Sequence, residues 1–248
     1  MSVSRKILLG LKKRISKSAL LRLKRMRYTL DFKFSTSKIL KKQLAQGAYK
    51  SSIHSNLEDE FILFPLIETQ HYQNQQLLIL AKSLSLRGKK VKILVCDGFL
   101  GACEVKSVKN SDLPNPCFEC KFTNKNILPY YGLEILYLKD LISKENESEI
   151  NRIAQKMLND KSYIYNGINL EATINDSIIR YFYGAVSKGS KELFLLKEEY
   201  IKTALISLFA IQKLHLSGLY SVISSMFVYC EWEPIYLYCN LNKIPFNS

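Results

Sequence analysis

Three short apolar runs punctuate residues 58–248 of this chain, and helical patterns lie between them. FILFPLIE (61–68) is a continuous apolar stretch of the length expected for a buried parallel strand. HYQNQQLLILAKSLSLRG follows with helical spacing. Leu77, Leu80, Ala81 and Leu84 are its expected inner face, and Gly88 stands where a C-terminal cap belongs. KVKILVCDG (90–98) reads as a second strand leading into a loop. Strand, helix, strand in so few residues predicts a βαβ unit with a right-handed crossover.

Further along, LEILYLKDLI (133–142) predicts a strand or a strand with a turn. Helices are expected over 145–158, with acids at the N-terminal end, over 174–186 and over 191–218, with Gly218 as a C-cap. LYSVISSMFVYC (219–230) reads as a third strand, and Pro234 suits the first turn of a helix after it. IPF (244–246) starts one more strand. The alternation predicts an α/β fold, a Rossmann-like parallel sheet flanked by helices. There is no internal repeat and no low-complexity linker.

Charge divides the chain differently. Residues 1–50 carry 15 Lys/Arg against one acid, Asp31, while residues 51–248 carry 21 of each sign. The net charge of +14 therefore belongs to the N-terminal fifth. The expected organisation is a basic arm and linker over 1–57 and a Rossmann-like domain over 58–248. On a helical wheel of residues 5–30, Ile7, Leu8, Leu11, Ile15, Ala19, Leu23, Met26 and Leu30 share one broad face. The cations lie mostly elsewhere, so the expected partner of the arm is an anionic membrane surface. A solvated arm with a few docked leucines remains the plainer alternative. The composition also resembles an organelle transit peptide. A nucleic-acid partner is not expected, because no aromatics interleave with the cations. No apolar run reaches the roughly 18 residues of a membrane span, and no secretory signal is apparent. The expected location is cytoplasmic, peripheral at the inner membrane, with reduced cysteines.

Three stretches also resemble parts of a known family: HYQNQQLLILAKSLSLRGKKVKILVCDG, GINLEATINDSIIRYFYG with Ser177 and Arg180–Tyr181, and YSVISSMFVYCEWEPIYLYCNLNKIPF. Their order over residues 60–246 resembles the N-terminal, acceptor-side domain of GT-B-type bacterial glycosyltransferases of surface-polysaccharide assembly. IETQHYQN lacks the glycine-rich turn common there, and RGKK stands for the usual RGH. Nothing resembles the donor domain or a phosphate-cradling glycine loop. The resemblance implies half of a GT-B architecture, acting on a lipid-linked or glycan acceptor. A separate donor-domain chain would supply the nucleotide sugar, and this chain would bind no cofactor of its own. The rival expectation is a non-catalytic Rossmann-like binding or scaffold protein at the membrane surface.

Ligands of open α/β sheets bind beyond the carboxyl ends of the strands. Three loops qualify: 68–73, 97–103 and 230–233. For an inverting transfer, the resemblance implies His71 as the base that takes the acceptor's hydroxyl proton. His215 and His54 have no such position. Asp97 can bond a sugar hydroxyl or form an Asx turn with Gly98. Glu231 and Trp232 can accept hydroxyls and stack on a sugar, or else cap a helix and fill the core. Arg180 can pair with a phosphate or stand solvated. Four of the six cysteines fall in 96–120. Cys117 and Cys120 have the spacing of a zinc pair and Cys103 is a third candidate, against plain reduced thiols. Cys96 reads as a buried thiol, and Cys230 and Cys239 as core or surface thiols.

Overall fold

The computed structural model describes residues 60–67, 71–108, 117–184 and 191–248, together with Ala19, Arg22 and Met26. The chain divides into two units, Met1–Ala48 and Tyr49–Ser248. In the first, Ala19, Arg22 and Met26 are helical, and the rest of the basic arm lies outside the described residues.

The second unit is a doubly wound α/β domain. Its parallel sheet has five strands: β1 (Phe61–Pro65), β2 (Val91–Val95), β3 (Glu134–Tyr137), β6 (Leu219–Ile223) and β7 (Phe246–Asn247). They stand in the order β3-β2-β1-β6-β7. A small antiparallel pair, β4 (Ile164–Tyr165) and β5 (Ile168–Asn169), lies apart from the sheet. The helices are α1 (His71–Leu86), α2 (Glu104–Val108), α3 (Phe118–Asn126), α4 (Leu138–Leu141), α5 (Lys144–Asp160), α6 (Glu171–Tyr181), α7 (Lys191–Leu216) and α8 (Tyr229–Leu241). A 3-10 turn (Leu128–Tyr131) leads into β3. Among the described residues no helix is long and apolar enough to cross a membrane.

Topology decides which helix covers which face. The chain steps from β1 to β2 to β3 in one direction, then crosses β1 to add β6 and β7 in the other. Right-handed crossovers therefore send α1 to one face and α5 to α8 to the opposite one. Side chains agree. Phe61, Leu63, Leu94, Leu219 and Val222 alternate into the main core with Ile201, Ala204, Leu205 and Leu208 of α7. Phe64 and Ile93, equally buried, are not among them, and α1 packs on β2 on their side.

Two local readings are corrected. Strand β6 ends at Ile223, seven residues before Cys230. The Ser224 hydroxyl donates to the Met226 carbonyl (2.7 Å) and accepts from the Met226 amide (3.2 Å), a local turn that competes with the ladder. Helix α8 consequently starts at Tyr229, with Pro234 inside it. On α1 the buried positions are Leu78 and Ala81, while Leu80 is exposed. The run from Leu77 to Ala81 is apolar all round, so spacing alone does not choose its inner side.

Candidate functional site

Strand order reverses between β1 and β6, and that crevice is where open α/β sheets take ligands. Trp232 closes its floor. The indole is buried and its Nε1 donates to the Pro65 carbonyl at 3.2 Å, joining the first turn of α8 to the end of β1. Residues 68–70, the rest of that loop, lie outside the described residues. His71 opens α1, but its side chain lies outside the description as well.

The loop after β2 is the second wall. Asp97 and Gly98 have φ of 52° and 83°, and the Phe99 amide donates to the Cys96 carbonyl at 3.2 Å. This is a turn with both central residues left-handed, for which Asp-Gly is a favoured pair. The Asp97 carboxylate accepts from the Asn124 amide at 3.3 Å. A Cβ on Gly98 would stand 2.6 Å from Cε of Lys121, so α3 sits close over the turn. Further on, Gly101 leaves space for the Glu199 carboxylate, whose Oε2 would lie 1.8 Å from an added Cβ. Thr203 donates to the Ala102 carbonyl at 2.8 Å, and Glu104 then starts α2.

At Glu104 four segments meet. Its backbone amide donates to Oε1 of Glu231 on α8. Its own carboxylate accepts from Nε (3.2 Å) and Nη2 (2.8 Å) of Arg180 on α6. Ser207 of α7 donates to the Glu231 carbonyl at 2.9 Å. Ser177 of α6 donates to the Thr173 carbonyl (2.9 Å) and accepts from the Cys230 amide (3.0 Å), which supplies the N-terminus of α8 with a partner.

Burial sets the protonation of this cluster. It pushes the fully buried Glu231 carboxyl up to about 7, only partly opposed by the hydrogen bond from Glu104. Oε2 of Glu231 has no hydrogen-bond partner. The Glu104 carboxylate holds Arg180 above the ordinary arginine range. Glu233 is also raised by burial, and the negative charge of Asp176 adds to it. The Thr173 hydroxyl pulls it back, although that hydroxyl forms no hydrogen bond of standard geometry. The Cys96 and Cys230 thiols are raised by burial, and Cys239 reaches about 12. Near neutral pH these three are therefore thiols and not nucleophilic thiolates.

One stripe of α8 faces outward. Cys230, Glu231, Trp232, Pro234 and Ile235 are buried, whereas Tyr229, Glu233 and Tyr236 are half-buried. Tyr229 and Glu233, four residues apart, lie side by side on the helix. Tyr229 has φ of 67°, a genuine outlier for a bulky residue and a conformation that clusters at functional sites.

The sequence had marked Arg180, Glu231, Trp232 and Asp97. The first three meet around the start of α8, and Asp97 turns toward α3 instead. Glu231 and Trp232 point into the fold. Glu104, Tyr229 and Glu233 were not marked, although the spacing of Tyr229 and Glu233 was visible once a helix was assigned from 229. Cys103 and Cys120 share a small buried cluster with Val105, and Cys117 is half-buried. Among the described residues no group of three His, Cys, Asp or Glu side chains is placed to hold a metal ion.

No protein-family pattern matches the chain, and no curated protein does. Among solved structures, a CDPS (cyclodipeptide synthase) from Fluoribacter dumoffii is similar at 14% identity. The match covers 77% of this chain and 89% of that one, with a TM-score of 0.45. A cyclo(L-leucyl-L-phenylalanyl) synthase is similar at 10% identity over 71% and 82% of the two chains, with a TM-score of 0.40. The resemblance to GT-B glycosyltransferases is not borne out: these neighbours are of another kind, and no family pattern supports it. That resemblance rested on an order of segments, which doubly wound domains share whatever they do. The expected roles in polysaccharide assembly fall with it, and neither the acceptor half of a glycosyltransferase nor the membrane-surface scaffold fits.

Proposed function

We propose that the chain binds a small polar ligand beside the first turns of α8, and that Glu233 exchanges a proton with a hydroxyl or amine of that ligand. The observation that carries this reading is a coincidence on one helix face. An aromatic residue in a strained left-handed conformation and a half-buried carboxyl raised by burial stand together, next to the β1/β6 switch point. Perturbed carboxyls, strained backbone and strand-order reversals each favour functional sites for separate physical reasons. A carboxyl raised above its ordinary range is a better match for proton transfer at working pH than an unperturbed one. Glu233 is the accessible one of the pair, and Glu231 lies wholly inside.

Ligand-detected NMR tests the reading with three probes of one carbon skeleton: butylamine, butanol and butyrate. The amine or the alcohol is expected to bind wild type at millimolar concentration, with loss in Glu233→Gln and weakening in Tyr229→Phe. Equal binding of butyrate, or unchanged binding by Glu233→Gln, would overturn it.

A further inference from the structure

The Glu231 carboxyl is buried, yet only one of its two oxygens is partnered. That partner is the backbone amide of Glu104, 127 residues away in sequence. The contact joins the start of α2, which follows the β2 loop, to the first turn of α8, which follows β6. We infer that Glu231 is a proton-operated latch: neutral, it holds the Glu104 segment against α8, and ionised, it lets that segment go.

The charges around Glu231 support this direction. From α2 it faces the Glu104 carboxylate, itself buried. Arg180 of α6 is the cation of the cluster, but it is bonded to Glu104 through two nitrogens. Among the described residues Glu104 is the charged group that acts on it, and from α7 the neutral Ser207 hydroxyl donates to its backbone carbonyl. On α8 itself the neighbouring Cys230 thiol is neutral near pH 7, and Glu233 turns toward Thr173 and Asp176. A charge on Glu231 therefore has an unpartnered oxygen and a like charge beside it, the costly arrangement for a buried ion. Opening the segment hydrates that charge.

The sign follows from linkage. Held closed, the carboxyl titrates at about 7; exposed, it returns toward its ordinary 4.5. Between those values the open form releases a proton, so opening becomes about tenfold more favourable per pH unit and then levels off. The inference does not depend on what ligand the site takes.

Amide hydrogen exchange read by mass spectrometry, in peptides covering 102–106 and corrected for the chemical exchange rate, tests it in the full chain. Wild type is expected to lose protection there by about fortyfold between pH 5 and pH 7, and only about twofold more by pH 8. Glu231→Gln keeps an oxygen for the Glu104 amide but cannot ionise, so its protection is expected to stay level. Flat protection in wild type, or the same slope in Glu231→Gln, overturns the latch. Should Glu231→Gln not fold, Glu104→Gln serves. Removing the facing carboxylate frees Arg180 to compensate Glu231, so the loss of protection shrinks; an unchanged loss also overturns it.

Discussion

The two faces of the sheet are built by different means. On the face of α5 to α8, apolar packing is pinned by polar bonds between helices and loops: Thr203 to Ala102, Ser207 to Glu231, Ser177 to Cys230 and Trp232 to Pro65. On the other face α1 contributes Leu78 and Ala81 and leaves Ile79 and Leu80 in solvent. Each pin on the first face fixes one backbone group to one partner, because an unmade buried hydrogen bond costs more than a made one gains. A purely apolar contact sets no such register. The difference explains where the candidate site lies. Groups that must hold a strained residue such as Tyr229 need surroundings that over-determine them, and the pinned face supplies those.

The sharpest way to break the comparison is at the pin that also fills the core. Trp232→Ala removes a buried ring and the bond to Pro65, and is expected to cost about 3–5 kcal/mol in chemical denaturation. A loss under 1 kcal/mol would mean that the pinned face tolerates voids, and the contrast would fail. Next in size is the titration of Glu231. Its folded carboxyl lies at about 7 against 4.5 unfolded, so the folded state binds the proton more tightly. Stability from this group is present below pH 4.5 and is lost as pH rises to about 7, roughly 3 kcal/mol in all. Glu231→Gln should abolish that slope in denaturation midpoints measured from pH 4 to pH 8. An unchanged slope would assign it to other groups.

Much of this fold was legible before the structure. Continuous apolar runs at 61–68 and 90–98, with helical spacing between them, specify β1, α1 and β2, because a parallel strand buried on both sides needs no alternation. The end of β6 was not legible. Ser224 and its hydroxyl sit in a stretch of strand-forming residues, and only the bond to Met226 shows that the chain turns there. That error moved the start of α8 from 229 to beyond 230 and hid the pairing of Tyr229 with Glu233. Arg180, Glu231 and Trp232 were picked out by residue type near expected strand ends. Their real partners, Glu104 and Pro65, lie far off in sequence, and no periodicity reports such contacts. The family resemblance misled for a related reason: the order of strands and helices carries topology, while function resides in contacts of this long-range kind.

The smallest expected effect lies on the lightly covered face. Ile79 is 54% exposed on α1 and makes none of the pins that hold the other helices. If α1 is held by Leu78 and Ala81 alone, Ile79→Ser removes apolar surface that was already in water. The loss in stability should stay within about 0.5 kcal/mol, the range of surface substitutions. Serine and isoleucine are close in helix propensity, so the expected sign is a small loss of a few tenths of a kcal/mol from the part of Ile79 that is buried. Denaturation curves of Ile79→Ser and Trp232→Ala under one condition make the test. A loss at Ile79 above about 2 kcal/mol would show that this face is covered in solution, and that the asymmetry between the two sides of the sheet is smaller than its hydrogen bonds imply.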